Sequence, residues 1–311
     1  MVNISSDDKL ILLGLEELQR LQYMFCVFSI VTYLFIVLLS ILIVLVILSE
    51  ESLHEPMYIL ICNLTLNGIF GSSSFYPKLI SDLLTSSKTV SRTNCHIQIL
   101  CLMTFTLFEV LTFTIMAYDQ YLAVSHPLQY LMMMTTGKTV KLIVGSFIFS
   151  FTSVLITVLL SARSPLCGNE IKNIFCDNLS LIILSCLDSS VNNLYAFIAT
   201  IIFLMFTISV IAYSYLQIFH ICIKLTKTSY RKALHTLVTH LLNFSIFLVS
   251  ALFLFVRFRL NSSMVPLFAH ILLSVSFVLF PPLLNPLIYG IRTKAVKIKI
   301  IRFLKTIWTP L

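Results

Sequence analysis

Long apolar segments separated by short polar connections dominate the hydrophobic pattern of this chain. Seven of them are long enough for a helix of about 20 residues, the length that crosses the hydrocarbon core of a bilayer. Six carry no charged residue, and the third carries only Glu109. A membrane β-strand needs only about 10 residues of alternating polarity, so these unbroken runs predict helices. The predicted spans are Phe25–Leu48, Met57–Pro77, Ile97–Tyr118, Leu142–Ala162, Val191–Ile223, Ala233–Val256 and Met264–Ile291.

The composition supports a membrane protein. Hydrophobic residues make up 58% of the 311 residues and charged residues only 11%, whereas a soluble domain carries roughly 25% charged residues. Residues 1–24 mix acidic and basic side chains, so the first span is expected to act as its own insertion signal without a cleaved signal peptide. The sequence therefore predicts an all-α membrane protein built as a seven-transmembrane helix bundle.

Lys and Arg residues indicate how the bundle is oriented, because cytoplasmic connections carry an excess of them. They are more frequent in the connections opposite the N-terminus and in the C-terminal tail. We therefore predict an extracellular N-terminus (residues 1–24), a seven-transmembrane domain (25–291) and a cytoplasmic tail (292–311). The net charge of +8 then describes a basic inner surface that faces anionic lipids and a partner protein, and not nucleic acid.

The tail has the spacing of an amphipathic helix, since its apolar and basic residues fall on opposite faces at roughly 100° per residue. This predicts a short helix on the lipids of the cytoplasmic leaflet, with a disordered basic tail as the alternative. The apolar face holds Val296, Ile300, Phe303 and Ile307, and the basic face holds Lys294, Lys297, Arg302 and Lys305.

No stretch of the chain has the residue spacing of a catalytic or cofactor site. The HExxH, GxSxG, phosphate-loop and paired CxxC patterns are all missing. The few ionisable residues in the spans do not form the row of proton-relay groups expected of a pump. We therefore predict no enzyme and no cofactor, and expect a ligand pocket between helices in the outer half of the bundle.

Two motifs lie at the ends of the third and seventh spans. Residues 116–130, MAYDQYLAVSHPLQY, run from an apolar segment into a polar connection, where Pro127 prevents a regular helix from continuing. The acid Asp119 is therefore expected at a helix end where water returns. In the seventh span, Pro286 removes a backbone hydrogen bond, and Asn285 can satisfy the groups that are freed.

These motifs resemble those of the olfactory receptors, within the rhodopsin-like (class A) G-protein-coupled receptor superfamily. MAYD-x-Y-x-A-x-x-HPLxY is close to the family's wording at the third span, and NPLIY (residues 285–289) matches its NPxxY at the seventh. LHEPMY (53–58), Ser214-Tyr215 and KALHTLVTHLL (232–242) appear in the right order on the right spans. LHEPMY followed by NGIFGSSSFYPK is most similar to fish members. The resemblance covers nearly the whole chain.

The resemblance implies a plasma-membrane odorant receptor that binds small, mostly apolar molecules between its helices. Its partners would be an odorant, membrane lipids and the olfactory stimulatory G protein, with cyclic AMP as the output. Leu102 stands where amine receptors carry an acid, which argues against charged amines as ligands. The implied pocket residues are Leu102, Met103, Thr106 and Leu107 on the third span and Leu248, Ser250, Ala251 and Leu252 on the sixth. The implied coupling and switch residues are Asp119, Gln120, Tyr121, Tyr215, Asn285, Pro286 and Tyr289.

Four cysteines fall on the predicted outer side, in an oxidising compartment, where four cysteines allow three pairings. The family resemblance implies Cys95–Cys176, which ties the third span to the second outer loop, and Cys167–Cys186, which closes that loop on itself. The triplet Asn3-Ile4-Ser5 is a glycosylation sequon on the same side, so Asn3 is a candidate for modification.

The chain departs from the family at several polar positions. Gln120 replaces an arginine, Asn67 stands where most rhodopsin-like receptors have an aspartate, and Ser40 stands where they have an asparagine. Glu109 lies at mid-membrane depth, where an ionisable group is costly and functional by default. One hypothesis is a sodium ion held by Glu109 and Asn67; the other is a protonated or hydrogen-bonded structural Glu109.

Two alternatives to an ordinary odorant receptor follow. The first is a non-olfactory rhodopsin-like receptor for a lipid or a peptide, which the loop cysteines oppose. The second is a chemoreceptor that couples poorly, because Gln120 has lost the charge of the family's arginine. We expect this replacement to alter both the stability of the inactive state and the coupling to the G protein, giving weak or constitutive signalling.

Overall fold

The computed structural model describes residues 9–186, 190–223, 244–245, 248–249, 267–292 and 294–308. Most of these residues belong to long helices joined by short connections. In chain order, the elements are β1 (Lys9–Leu12), α1 (Gly14–Leu18), α2 (Gln22–Ser49), α3 (Pro56–Thr85), β2 (Thr89–Ser91), α4 (Arg92–Ser125), α5 (Tyr130–Met133), α6 (Thr136–Ala162), β3 (Glu170–Ile171), α7 (Asn178–Ile183), α8 (Ser190–Ile223), α9 (Leu267–Arg292) and α10 (Lys294–Trp308).

Six of the seven predicted spans correspond to α2, α3, α4, α6, α8 and α9. Among the described residues, four helical stretches are long and apolar enough to cross a membrane: Gly14–Ser49, Arg92–Ser125, Thr136–Ala162 and Val191–Ile221. A shorter apolar stretch, Val278–Gly290, lies within α9. The sixth predicted span lies outside the described residues, apart from 244–245 and 248–249, and so do Ser250, Ala251, Leu252 and Asn3.

The ends of α3 show how local chemistry sets helix boundaries. Pro56 occupies the first turn, where a missing backbone N–H has no helical partner to lose. The helix continues beyond the predicted span, from Pro77 to Thr85. Lys78 and Asp82 form an ion pair one turn apart on this extension, which supports helix there. The helix stops where Ser86 adopts a left-handed backbone with φ of 53°.

A small three-stranded sheet covers the outer end of the bundle, and the all-α prediction did not include it. β1 is the central strand and pairs antiparallel with β2 and parallel with β3. Leu10 and Leu12 on β1 are buried, so the N-terminal strand is packed between two outer connections. Lys88 Nζ lies 3.0 Å from Glu16 Oε1 and adds an ion pair beside the sheet. The strands are too short for hydrophobic alternation to reveal them.

The buried apolar side chains form an outer and an inner cluster. The outer cluster includes Phe75 and Phe175, whose rings meet edge to face with centroids 5.7 Å apart. The inner cluster includes Phe113 and Tyr289. Contact between α3 and α4 is so close that a Cβ at Gly71 would lie 2.6 Å from the ring of Phe105.

The C-terminal helix α10 packs partly onto the bundle, which corrects the predicted lipid-facing surface. Val296 is fully buried, and Ile300 and Phe303 pack against the inner cluster. Lys299 forms an ion pair with Glu50 just beyond the end of α2, which holds α10 against the bundle. Ile298 and Ile301 are exposed instead and form the apolar surface available to lipid.

Candidate ligand cavity and cytoplasmic switch

Two disulfides fix the second outer loop over the bundle. Cys95 at the start of α4 is bonded to Cys176, and Cys167 is bonded to Cys186. The Cα–Cα distances are 5.3 and 5.0 Å, within the usual range for disulfides. These are the two pairings that the family resemblance implies, and together they hold the loop as a lid.

Polar contacts tie this lid to the helices beneath it. Gln98 Oε1 of α4 accepts a hydrogen bond from the Cys176 backbone N–H at 2.9 Å. Ser161 of α6 donates to Asn178 Oδ1 at 2.5 Å and accepts from Asn192 of α8 at 2.9 Å. Asp177 caps the lid helix α7 by accepting from the Ser180 backbone N–H at 2.9 Å. The lid is therefore joined to α4, α6 and α8 by more than its disulfides.

A cavity of about 260 Å³ lies beneath the lid, between α4 and α8. This is close to the lower limit of roughly 300 Å³ that is common for small-molecule sites. All four pocket residues predicted on the third span, Leu102, Met103, Thr106 and Leu107, line it. Further lining residues come from the lid and α8, among them Phe175, Asp177, Asn178, Asn193, Ala196, Phe197 and Thr200.

Asp177 and Asn193 are lining residues that the sequence analysis missed. Asp177 lies on the lid, so its proximity to the cavity depends on how a long loop folds. Asn193 belongs to Asn192-Asn193, a pair of amides at the start of an otherwise apolar span. Consecutive amides in a predicted membrane helix were a usable signal, since polar side chains there usually face the protein interior.

Leu248 does not line the cavity beneath the lid. It packs against the inner cluster and borders a different hollow together with Tyr215 and Phe244. Phe244, one turn away, packs against Phe113 with ring centroids 6.2 Å apart. Phe113 lies six residues further into the membrane than Leu107, or about 9 Å along α4. Of the predicted helix-6 pocket residues, Leu248 therefore lies beside the inner cluster and not among the lining residues of the cavity beneath the lid.

Glu109 is the centre of a buried polar node that joins three helices. It is fully buried in α4. Its Oε2 accepts a hydrogen bond from Asn67 of α3 at 2.6 Å, and its Oε1 accepts one from Asn285 of α9 at 2.5 Å. Both carboxyl oxygens thus contact amide donors, which supports a hydrogen-bonded structural Glu109. Within the described ranges, no group of three or more His, Cys, Asp or Glu residues is arranged to hold a metal ion.

Asp119 is paired with a tyrosine. The expectation that it stands at a helix end was wrong, because α4 continues six residues further to Ser125. Asp119 is 2% exposed, and its Oδ1 accepts a hydrogen bond from the Tyr130 hydroxyl at 2.8 Å. Burial and the nearby Asp119 charge raise the pKa of Tyr130, so the phenol keeps the proton that it donates. The connection after α4 thus supplies a hydrogen-bond donor to the buried acid.

Gln120 makes no comparable contact. It is buried, and its Nε2 has no hydrogen-bond partner among the described residues. Its neighbour Tyr121 points its ring at Tyr213 of α8, with centroids 5.8 Å apart.

The remaining predicted switch residues lie around the inner cluster. Tyr215 packs against it from α8, and Tyr289 belongs to it and is 1% exposed. Asn285 reaches the Glu109 node one turn before Tyr289. Pro286 lies between them, buried within a helix that continues through it.

Comparison with known proteins shows the family of this chain. A family model described as "Olfactory receptor" matches residues 27–306. The chain belongs to the olfactory receptor family. It is 32% identical to mouse Olfactory receptor 6B9 over 299 residues, covering 96% of this chain and 94% of that one. It is 32% identical to human Olfactory receptor 6N1 over 307 residues, covering 98% and 97%. It is 30% identical to the dog Olfactory receptor-like protein OLF3 over 289 residues, covering 92% and 90%.

Family membership confirms several expectations about this olfactory receptor. It is a multi-pass plasma-membrane protein of the rhodopsin-like superfamily with the seven-helix architecture of that family, and it is not an enzyme. A non-olfactory receptor for a lipid or peptide is not favoured. The relatives named above are mammalian, and the likeness to fish members stays a prediction.

Proposed function

We propose that this olfactory receptor binds small, mostly apolar odorants in the cavity beneath the lid and activates the olfactory stimulatory G protein, which raises cyclic AMP. The observation that carries the proposal is the cavity itself. It is covered by a doubly cross-linked loop, and its α4 wall includes Leu102, Met103, Thr106 and Leu107. Apolar walls with a few polar groups are typical of small-molecule sites.

Two helices of the cavity wall also reach the inner half of the bundle. On α4, Leu107 lines the cavity and Glu109 holds the polar node only two residues further, about 3 Å along the axis. The same helix carries Asp119 and Gln120 in its last two turns before it ends at Ser125. On α8, Thr200 lines the cavity and Tyr215 packs against the inner cluster. A ligand that binds one arrangement of α4 and α8 more tightly shifts the equilibrium toward a state that admits the G protein.

The inner connection after α4 is suited to bind the G protein. Leu128 is 97% exposed and Met132 is 81% exposed. These side chains lie outside the long helices, so lipid contact along a span does not account for them. Exposed apolar side chains beside a polar rim mark protein interaction sites. We assign them to the G-protein interface, next to Asp119, Gln120 and Tyr121.

The exposed isoleucines of α10 and its neighbouring basic residues are assigned to membrane lipids. Ile298 and Ile301 supply apolar contact, and Lys297, Arg302 and Lys305 can meet anionic headgroups. The ion pair between Lys299 and Glu50 positions this helix beside the inner end of α2.

Gln120 supports the second candidate, a receptor that couples weakly or signals without a ligand. Its buried amide nitrogen lacks a partner in the described part of the chain, and it supplies no positive charge beside Asp119. An arginine at this position reaches into the G-protein interface in active members of the family, which a glutamine does less well.

The proposal is tested by expressing the receptor with the stimulatory G protein and screening volatile compounds by cyclic AMP. The decisive variant is Ala196→Trp, which fills the cavity from α8. Val191→Trp is the matched control, because Val191 lies five residues earlier on the same helix, is 74% exposed and is not among the residues that line the cavity. We expect loss of the odorant response in Ala196→Trp alone, at equal surface expression. An unchanged response in that variant contradicts the proposed cavity.

A further inference from the structure

Asn193, in the first turn of α8, has a buried acceptor without a donor. Its Oδ1 has no hydrogen-bond partner among the described residues, and the side chain lines the cavity beneath the lid. A buried polar atom left unpaired costs about 1–3 kcal/mol, and folded proteins keep few of them. The Asn193 side chain lines the cavity while this oxygen is itself covered by protein, so a turn of the amide about χ2 presents the acceptor to a ligand that brings a donor.

Two threonine oxygens in the same wall also have acceptor capacity to spare. Thr106 Oγ1 donates to the Leu102 carbonyl at 2.8 Å, and Thr200 Oγ1 donates to the Ala196 carbonyl at 2.7 Å. Each hydroxyl proton is thus used within its own helix, while the oxygen lone pairs stay available. The donors that the wall offers are amide nitrogens, those of Asn178 and Asn193.

Asp177 is the charged side chain among the described lining residues, and its oxygens are already engaged. They accept hydrogen bonds from the Ser180 backbone N–H at 2.9 Å, the Ser180 hydroxyl at 2.7 Å and Asn173 Nδ2 at 3.3 Å. These contacts commit the carboxylate to the start of α7. Its negative charge opposes an anionic ligand, and three of its roughly four acceptor positions are already used, which leaves little for an ammonium group.

Resting on the proposed function, we propose that the cavity selects alcohols and phenols, whose hydroxyl donates to Asn193 Oδ1 while the hydrocarbon packs against Leu102, Met103 and Leu107. A hydroxyl both donates and accepts, so its oxygen can also accept from an amide nitrogen of the wall. An ether, an aldehyde or a ketone only accepts and leaves Asn193 Oδ1 unpaired. Asn193 is then the residue that determines the functional-group specificity.

The test uses isomer pairs of equal size, measured on the full-length receptor in lipid nanodiscs. The pairs are 1-octanol with heptyl methyl ether and p-cresol with anisole, and the readout is displacement of a bound fluorescent probe. We expect the wild type to bind the hydroxyl isomer about tenfold more tightly than the ether. Asn193→Leu removes this preference, whereas Asn193→Asp keeps an acceptor oxygen and retains it. Val191→Leu, an exposed neighbour, is the control and leaves the preference unchanged.

Three outcomes overturn the inference. The first is equal or stronger binding of the ethers by the wild type, which decides the matter even if a variant fails to fold. The second is a hydroxyl preference that survives Asn193→Leu. The third is failure of all four compounds to bind the wild type. In each case the proposed function is judged separately, by the wider odorant screen and the Ala196→Trp variant.

Discussion

The Tyr130 hydroxyl donates a hydrogen bond to Asp119 Oδ1 over 2.8 Å. The residue that follows this acid is Gln120, where the family has an arginine. Tyr130 and Asp119 are eleven residues apart in the chain, on either side of the turn at Pro127. The contact ties the inner connection to the end of α4. Breaking this contact would free the inner connection from the buried acid.

Removing this hydroxyl tests the pairing. Tyr130→Phe leaves a buried Asp119 oxygen without its donor, which costs about 1–3 kcal/mol. We expect a lower unfolding temperature for the purified receptor and a higher basal cyclic AMP level, because the inner connection is released. Tyr23→Phe is the control, since Tyr23 is 79% exposed. Equal stability and equal basal output in both variants contradict the role given to Tyr130.

Restoring the arginine tests the departure at Gln120. In Gln120→Arg the guanidinium lies beside Asp119, where it can form an ion pair in the resting state and extend toward the G protein in the active state. We expect a lower basal cyclic AMP level and a larger odorant-stimulated increase. Gln120→Leu, which adds neither charge nor hydrogen bonds, is the comparison. Identical basal and stimulated outputs for wild type and Gln120→Arg show that this residue does not set coupling.

The Glu109 node makes a prediction about sodium. Both carboxyl oxygens accept hydrogen bonds from amides, those of Asn67 and Asn285. We therefore expect the unfolding temperature to be the same in sodium and choline salts of equal ionic strength. Asn67→Leu and Asn285→Leu each lower it, because each leaves a buried oxygen unpaired at a cost of about 1–3 kcal/mol. A sodium-specific stabilisation that disappears in Glu109→Gln supports a cation site instead.

The two lid disulfides are predicted to differ in their contribution to stability. Cys95–Cys176 closes 81 residues and Cys167–Cys186 closes 19. Loop-closure entropy gives about 4.5 kcal/mol for the first and about 3 kcal/mol for the second. Replacing the cysteines by serine in pairs should lower the unfolding temperature more for Cys95 and Cys176. The reverse order would show that closure of the loop on itself dominates the stability of the lid.

Gly14 tests whether the N-terminal strand belongs to the lid. A Cβ at this residue would lie 2.6 Å from the carbonyl carbon of Asn173 in the loop. Gly14→Ala therefore has to displace backbone, and we expect weaker odorant binding and faster proteolysis of the N-terminal strand. The control is Gly137→Ala, where nothing lies within 4 Å of the added carbon. Unchanged behaviour of Gly14→Ala would mean that the strand is dispensable.

The hydrophobic pattern was sufficient to predict six described spans, because long apolar runs have few other structures open to them in a bilayer. The pocket residues on α4 followed from family resemblance, and all four line the cavity beneath the lid. The outer sheet could not be read from the sequence, since Ile11 pairs with Glu170, which lies 159 residues further along the chain. The place of Asp177 in the cavity wall was missed because it also depends on contacts between residues far apart in the sequence.

Local rules were insufficient at two further places. Spacing placed Val296, Ile300 and Phe303 on one face of α10, but spacing does not say whether lipid or protein covers a face, and Val296 is buried in the bundle. The partner of Asp119 was missed because it lies beyond a proline turn, where helix periodicity no longer predicts neighbours. Sequence patterns did not predict the contacts between residues that a loop or a turn separates.

The central claim is that an odorant occupies the cavity between α4, α8 and the lid. It is tested most directly by a cryo-electron-microscopy map of the receptor with an activating odorant and the stimulatory G protein. We predict ligand density in contact with Thr106, Phe175 and Asn193, and G-protein density against Leu128. Ligand density outside this cavity, with the space beneath the lid filled by side chains, would contradict the account.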